Sequence, residues 1–202
     1  VRMTTGGRAG KTYTPGMFAL FATLLVALDQ ATKWWAKGAF EAGGSLPVGL
    51  GFIFTFVRNT GAAFGIFRNV ELSFLGFTID GTFLLGLLSA AVSLVLLIYL
   101  LRKGPYLSFL PRFSLTLVLA GAVGNMIDRF ALGYVIDFIH FRVGWFDFPV
   151  FNLADTFVVT GGILLFLAGL FEGSQAGSSS SAEASTGPAS GERARRGEES
   201  SS

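Results

Sequence analysis

Asp29, Asp128, Asp137 and Asp155 lie at or near the ends of apolar stretches or inside them. Ionisable groups in such surroundings are costly to desolvate, so each needs a partner, a proton or a function. Asp137 stands out. In Tyr134–Val143 the residues Val135, Asp137, Ile139, Phe141 and Val143 share one face of a strand-like alternation, with His140 and Arg142 on the other, which leaves Asp137 the only charge on an apolar face. Asp155 opens the apolar run that follows, and Gly144 and Pro149 between them allow the chain to turn back. Two carboxylates brought together in a poorly solvated place cannot both ionise easily and share a proton. That is aspartic-peptidase chemistry: the ionised acid takes a proton from water while the protonated one donates to the scissile carbonyl. The spacing allows this pairing and does not by itself require it.

The other polar residues each have a structural alternative. Asp29 and Lys33 are four apart, the spacing of an ion pair on a helix surface. Asn125, Asp128 and Arg129 share one helix face and could be a polar helix end reaching the headgroups. Asn152 followed by Asp155 matches a helix N-cap with an acid at the third helical position, so capping alone could account for both. His140, between aromatic neighbours, reads as a satisfied interfacial histidine. The chain has no cysteine and one histidine, which excludes disulfides, thiolate or multi-histidine metal sites and a cysteine nucleophile. Hydrolytic chemistry would therefore fall to carboxylates, serine, lysine or tyrosine, and no cofactor or metal is expected.

Elements that could carry these residues follow from composition. Apolar residues make up 51% of the 202 and charged ones 14%, with mean hydropathy +0.61; a soluble domain carries roughly 25% charge. This is the composition of a membrane protein. Four runs can span a bilayer as helices, at about 17–37, 81–101, 111–129 and 152–172. The first could pass for the core of a signal peptide, but Asp29-Gln30-Ala31-Thr32-Lys33-Trp34-Trp35 follows where a small-residue cleavage site would stand. The net charge of +2 comes from basic residues scattered or flanking apolar runs, a membrane pattern that does not suggest nucleic acid. Arg2, Arg8, Lys11, Arg102, Lys103 and Arg112 crowd residues 1–16 and 102–112, while the longer intervals 37–80 and 129–151 hold only Lys37, Arg58, Arg68, Arg129 and Arg142. By the positive-inside bias the termini and the 102–112 loop are cytoplasmic, and the acids lie towards the outer face. Between the spans, 46–57 reads as extended, 59–65 as turn-prone, and 66–79 as a short interfacial helix. From residue 173 a composition of Ser, Gly, Ala, Glu and Arg predicts a disordered cytoplasmic tail over 173–202.

Five blocks then carry a resemblance: Asp29-Gln30-Ala31-Thr32-Lys33, Arg58-Asn59-Thr60-Gly61-Ala62-Ala63-Phe64, Gly124-Asn125-Met126-Ile127-Asp128-Arg129, Val135-Ile136-Asp137-Phe138 and Phe151-Asn152-Leu153-Ala154-Asp155-Thr156. Singly weak, in this order and set against four spans they are specific, and over about residues 14–172 the chain resembles the bacterial lipoprotein (type II) signal peptidases. The resemblance implies an α-helical integral membrane protein, with four transmembrane helices, a small extracytoplasmic β-cradle and a short periplasmic helix. It implies an aspartic endopeptidase of the bacterial inner membrane with Asp137 and Asp155 as catalytic dyad. Asn59, Asn125, Asp128, Arg129, Asn152 and Ala154 align with residues that hold the dyad or the substrate, and Asp29 and Lys33 with a structural first-helix motif. The implied substrate is a diacylglyceryl-modified prolipoprotein, cut just before the lipidated cysteine, and the implied partners are that substrate and membrane lipids; a monomer is expected. A proton-coupled transporter and a non-catalytic membrane scaffold are rival readings of paired membrane acids. Clustering at one face speaks against the first, and Asp137 on its apolar face against the second.

Overall fold

The structure, a computed structural model, describes the backbone of residues 15–61, 71–74 and 77–184, and side chains within 15–61 and 80–171. The described residues form four long helices, α1 (Pro15–Phe40), α2 (Gly81–Lys103), α3 (Phe109–Leu132) and α4 (Leu153–Ala184), with four strands between α1 and α2 and two between α3 and α4. All four helices are long and apolar enough to cross a membrane. Their boundaries have local causes. Asp80 caps α2, its Oδ1 accepting from the Phe83 N–H at 2.7 Å. Gly133, at φ 75°, ends α3 in the left-handed conformation that glycine adopts without penalty. Half of the most apolar window of α3 is buried, against 11–22% in the others, so α3 is the central helix and packs against α1 and α2. On α2 and α4 most of the described Leu, Val and Phe side chains face outward, as expected where the surroundings are lipid.

Helices α3 and α4 approach through small residues. A Cβ on Gly124 would stand 2.5 Å from the Asp29 carboxylate and 3.2 Å from the Ala154 Cβ, and one on Gly121 would collide with the Ala154 carbonyl. The start of α4 is thereby seated against α3 with an acid of α1 beside it. No larger residue fits there.

Strands β1 (Leu46–Gly49), β2 (Phe52–Asn59), β5 (Val135–Val143) and β6 (Phe146–Phe151) form an antiparallel sheet in the order β1-β2-β5-β6. Between Phe54↔Ile139 and Val57↔Asp137 one extra residue in β2 makes a bulge, after which Asn59 lies opposite Val135. A second irregularity falls in β6 where Pro149 has no N–H to give. Trp35, near the end of α1, meets Phe54 of β2 and Phe138 of β5 edge-on, at 5.3 and 6.4 Å between ring centroids, which pins α1 to the sheet.

Two expectations need correction. The short helix expected over 66–79 is not formed by the described part of it: β3 (Glu71–Phe74) and β4 (Phe77–Asp80) pair as a hairpin, while 62–70 and 75–76 lie outside the described residues. A run of Leu, Phe and Ile with few helix formers gains more from cross-strand pairing. Disorder from residue 173 does not hold over 173–184, which continue α4, because extending an existing helix carries no nucleation cost. Residues 1–14 and 185–202 lie outside the described residues.

Candidate active site

Asp137 is held by two amides. Asn152 Nδ2 donates to its Oδ1 at 2.7 Å and Asn59 Nδ2 to its Oδ2 at 2.9 Å. The Asn59 amide is itself oriented, since its Oδ1 accepts the Gly61 N–H at 3.0 Å in an Asx turn. With its oxygen engaged there, Asn59 can present only N–H to the carboxylate. Asp137 is 2% exposed. Burial, reinforced by the nearby Asp155 charge, pushes its carboxyl up to about 7 despite the two amide bonds that favour ionisation.

Asp155 sits in the first turn of α4 and serves both readings of its motif. Its N–H donates to Asn152 Oδ1 at 2.9 Å and its Oδ2 accepts the Asn152 N–H at 3.3 Å, the reciprocal pattern of a capping box. Its Oδ1 takes a further bond from Asn125 Nδ2 at 2.8 Å, which capping does not need. Asn152 is therefore shared: its oxygen caps α4 while its nitrogen holds Asp137.

Both acids line one cavity of about 720 Å³. Asn59, Asn125 and Arg129 complete its polar end, and Leu88 and Val92 of α2, Val118 and Ala122 of α3, and Val158 and Val159 of α4 form apolar walls. The cavity thus joins a polar end to apolar walls. Arg129 is half-buried and under-used: Nη1 and Nη2 reach the carbonyls of Asn125 and Gly61 only at 3.5 Å, and the buried Nε has no partner among the described residues.

Below this end lies a second network. Lys33, fully buried, reaches Asp29 at 2.9 Å, Asp128 at 3.0 Å and Asn125 Oδ1 at 2.9 Å. The expected surface ion pair of Asp29 and Lys33 is thus corrected: both side chains are 0% exposed and Asp128 joins them. Asp29 Oδ1 accepts the Ala154 N–H of α4 at 2.9 Å, and Asp128 Oδ2 accepts the Ile136 N–H of β5 at 3.1 Å. The cluster ties α1 to the backbones that carry Asp137 and Asp155.

The sequence, compared with known proteins, matches the family model described as "Signal peptidase (SPase) II" over residues 21–171. It is 43% identical over 155 residues to the lipoprotein signal peptidase of Trichormus variabilis, covering 76% of this chain and 89% of that protein. That of Moorella thermoacetica is 43% identical over 149 residues, 73% of this chain and 89% of that one. The chain belongs to the signal peptidase II family. It is accordingly a peptidase and a multi-pass membrane protein. A solved structure, titled as a bacterial membrane enzyme determined by the in meso method at 2.3 Å, is also similar: TM-score 0.69, 31% identity, 83% of this chain and 96% of that one.

Within this signal peptidase II fold the ten residues singled out by sequence divide in two. Asn59, Asn125, Arg129, Asp137 and Asp155 line the cavity. Asn152, Asp128, Ala154, Asp29 and Lys33 are buried behind it. Ala154 contributes a backbone N–H and a small Cβ against Gly124, not a cavity surface. Two contributors were not anticipated. Gln30 donates to Asp128 Oδ1 at 2.9 Å and to the Gly124 carbonyl at 3.2 Å, and Gly61 fixes Asn59. Asn59-Thr60-Gly61 carried an Asx-turn signal that could have revealed Gly61; Gln30 differs in no way from a helix-surface glutamine until α3 packs on it.

Proposed function

We propose that this membrane peptidase is an aspartic endopeptidase that removes the signal peptide from diacylglyceryl-modified prolipoproteins, cutting just before the lipidated cysteine with Asp137 and Asp155 as its dyad. The observation that carries this reading is the pair itself: two carboxylates on one cavity, each fixed by asparagine amides, with Asp137 raised to about 7. Two carboxylates placed together in this way share a proton that belongs to the pair and not to either residue. The ionised carboxylate takes a proton from water, and the water oxygen adds to the scissile carbonyl carbon as the protonated carboxyl gives its proton to the carbonyl oxygen. Collapse breaks the C–N bond: the amine leaves with the proton first taken from water, the other returns to the dyad, and the pair is restored.

The substrate reading is supported by the names of the relatives, lipoprotein signal peptidases, and by the apolar cavity walls, which suit a peptide and lipid both resident in a bilayer. Purified protein incubated with a lipidated precursor peptide and its unlipidated twin is expected to cut only the first. Cleavage of both equally would remove lipid from the recognition, and cleavage of neither would end the assignment of prolipoproteins as its substrate.

Arg129 is proposed to position substrate without exchanging protons. A half-buried guanidinium whose donors are barely engaged is available to a carbonyl or phosphate in a fixed fork. Arg129→Lys keeps charge and loses the fork, so kcat/KM is expected to fall about ten- to a hundredfold, as for loss of a charge-assisted bond. Wild-type turnover would reduce Arg129 to interfacial charge.

The orientation proposed places both termini in the cytoplasm and the dyad towards the outer face of the inner membrane, on the basic-residue asymmetry. A reporter at the C-terminus or within 103–111 should then read cytoplasm, and one near Gly43 the outer side. The reverse pattern would move the acids to the cytoplasmic face and exclude an export-pathway role.

A further inference from the structure

The Lys33 cluster holds more bonds than an ion pair requires. An ammonium has three N–H donors and no acceptor. Two of those of Lys33 meet the carboxylates of Asp29 and Asp128; the third goes to Asn125 Oδ1 at 2.9 Å. Asn152 Nδ2 donates to the same oxygen at 3.2 Å. A primary amide has nearly the same shape either way round, so neighbours decide which end faces where. Two donors converge on one end of Asn125, and only its oxygen can sit there. The other end, Nδ2, must then face Asp155, which it meets at 2.8 Å.

We propose that Lys33 is a positioning residue for the dyad: through its third N–H it fixes and polarises the Asn125 amide that holds Asp155, and with Asp29 and Asp128 it sets the field in which the acid pair titrates. This rests on the dyad reading above and deepens it. Among the described residues, the charged groups packed around the pair are Lys33 with its partner Asp29 from α1, and Asp128 and Arg129 from α3, besides the two acids themselves on β5 and α4. α2 lines the cavity with Leu88, Ser89 and Val92, and Arg58 of β2 pairs with Glu41 at 2.6 Å. The Lys33 charge also opposes the burial that raises Asp137.

The sign follows. A cation near the pair favours both ionisations, so removing it moves both limbs of the activity–pH profile to higher pH, and removing a nearby anion moves both to lower pH. Lys33→Met is expected to shift the bell upward by about one pH unit. It should also lower kcat about ten- to a hundredfold, the range typical of outer-shell partners, with KM for a lipidated peptide nearly unchanged. Lys33→Met leaves the buried carboxylates of Asp29 and Asp128 without the cation that pairs them, so a failure of this variant to insert would not decide the matter. Asp29→Asn, near-isosteric and still leaving the Lys33–Asn125 bond, therefore carries the test independently, with an expected shift of both limbs downward.

Profiles that superimpose on wild type for Asp29→Asn, with activity scaling only with folded protein, would overturn the proposal and leave the cluster a structural brace. Asp137→Asn run alongside separates the two levels. If it still cleaves, the dyad reading fails; if it is inactive while the Asp29→Asn limbs stay in place, only the role of Lys33 falls.

Discussion

Replacing Asp137 or Asp155 by asparagine is expected to abolish cleavage, with losses that do not add in the double variant. Either amide keeps the size of the side chain and removes the capacity to cycle a proton, and a pair that works as a unit is lost with its first member. The substitution is not silent to its neighbours. Both oxygens of Asp137 accept amide N–H bonds, so an asparagine there points one NH₂ at another, and Asn59 cannot turn without giving up Gly61. Against that cost, Asp137→Asn removes a carboxyl that burial disfavours as an anion. Such an acid, raised from about 3.9 in the unfolded chain, adds stability fully below that value, and the contribution is lost as pH rises towards 7. The two effects oppose each other, so thermal stability near neutral pH should change little while activity vanishes. Asp147→Asn is the control. Asp147 is 53% exposed, pairs with His140 at 2.7 Å and Arg142 at 3.5 Å, and its carboxyl is held low mainly by the His140 bond; turnover should stay at wild-type level. In the active protein, activity should fall above about pH 7 as the pair loses its last proton, and again on acidification when both are protonated. Substantial turnover in either dyad variant, with loss in Asp147→Asn, would relocate the chemistry.

How much of this was legible in the sequence differs by element. The four spans were, because twenty apolar residues in a row have few other destinations. Asp137 was, because a strand's two-residue period puts a lone charge on an apolar face in plain view, and Asp155 because caps are local. Pairing between Asp137 and Asn59 was not. It depends on the β2 bulge and on a register that only the folded sheet defines. The Asp29–Lys33 spacing reads as a surface pair, since a four-residue interval says that two side chains share a face and not which way the face looks. What turned it inward is α3, whose Gly121 and Gly124 let the start of α4 close over Asp29. The 71–80 hairpin was missed because short apolar runs do not separate strand from helix by periodicity.

Asn152→Ser tests whether a helix cap and an active site can be told apart when one side chain serves both. Serine caps a helix about as well as asparagine, and its oxygen can still accept the Asp155 N–H that Asn152 Oδ1 accepts now at 2.9 Å. What serine lacks is the amide nitrogen, which reaches Asp137 Oδ1 at 2.7 Å, Asn125 Oδ1 at 3.2 Å and the Ile136 carbonyl at 3.3 Å. If capping were the whole reason for asparagine, the variant would match wild type in both stability and turnover. The network predicts otherwise. Loss of the bond to Asp137 removes a donor to a charged group, worth about 1.5–3 kcal/mol, or roughly a ten- to a hundredfold fall in kcat where the bond acts in the transition state. α4 should remain capped and the thermal midpoint should move only a few degrees, because residue 152 is fully buried and the smaller serine leaves room that a water can fill. Asn152→Asp completes the comparison: it keeps the cap and the shape but sets a third carboxylate against the pair, and should lose more activity than serine does. A serine variant with unchanged kcat and a lowered midpoint would assign Asn152 to the helix alone and leave Asp137 oriented by Asn59.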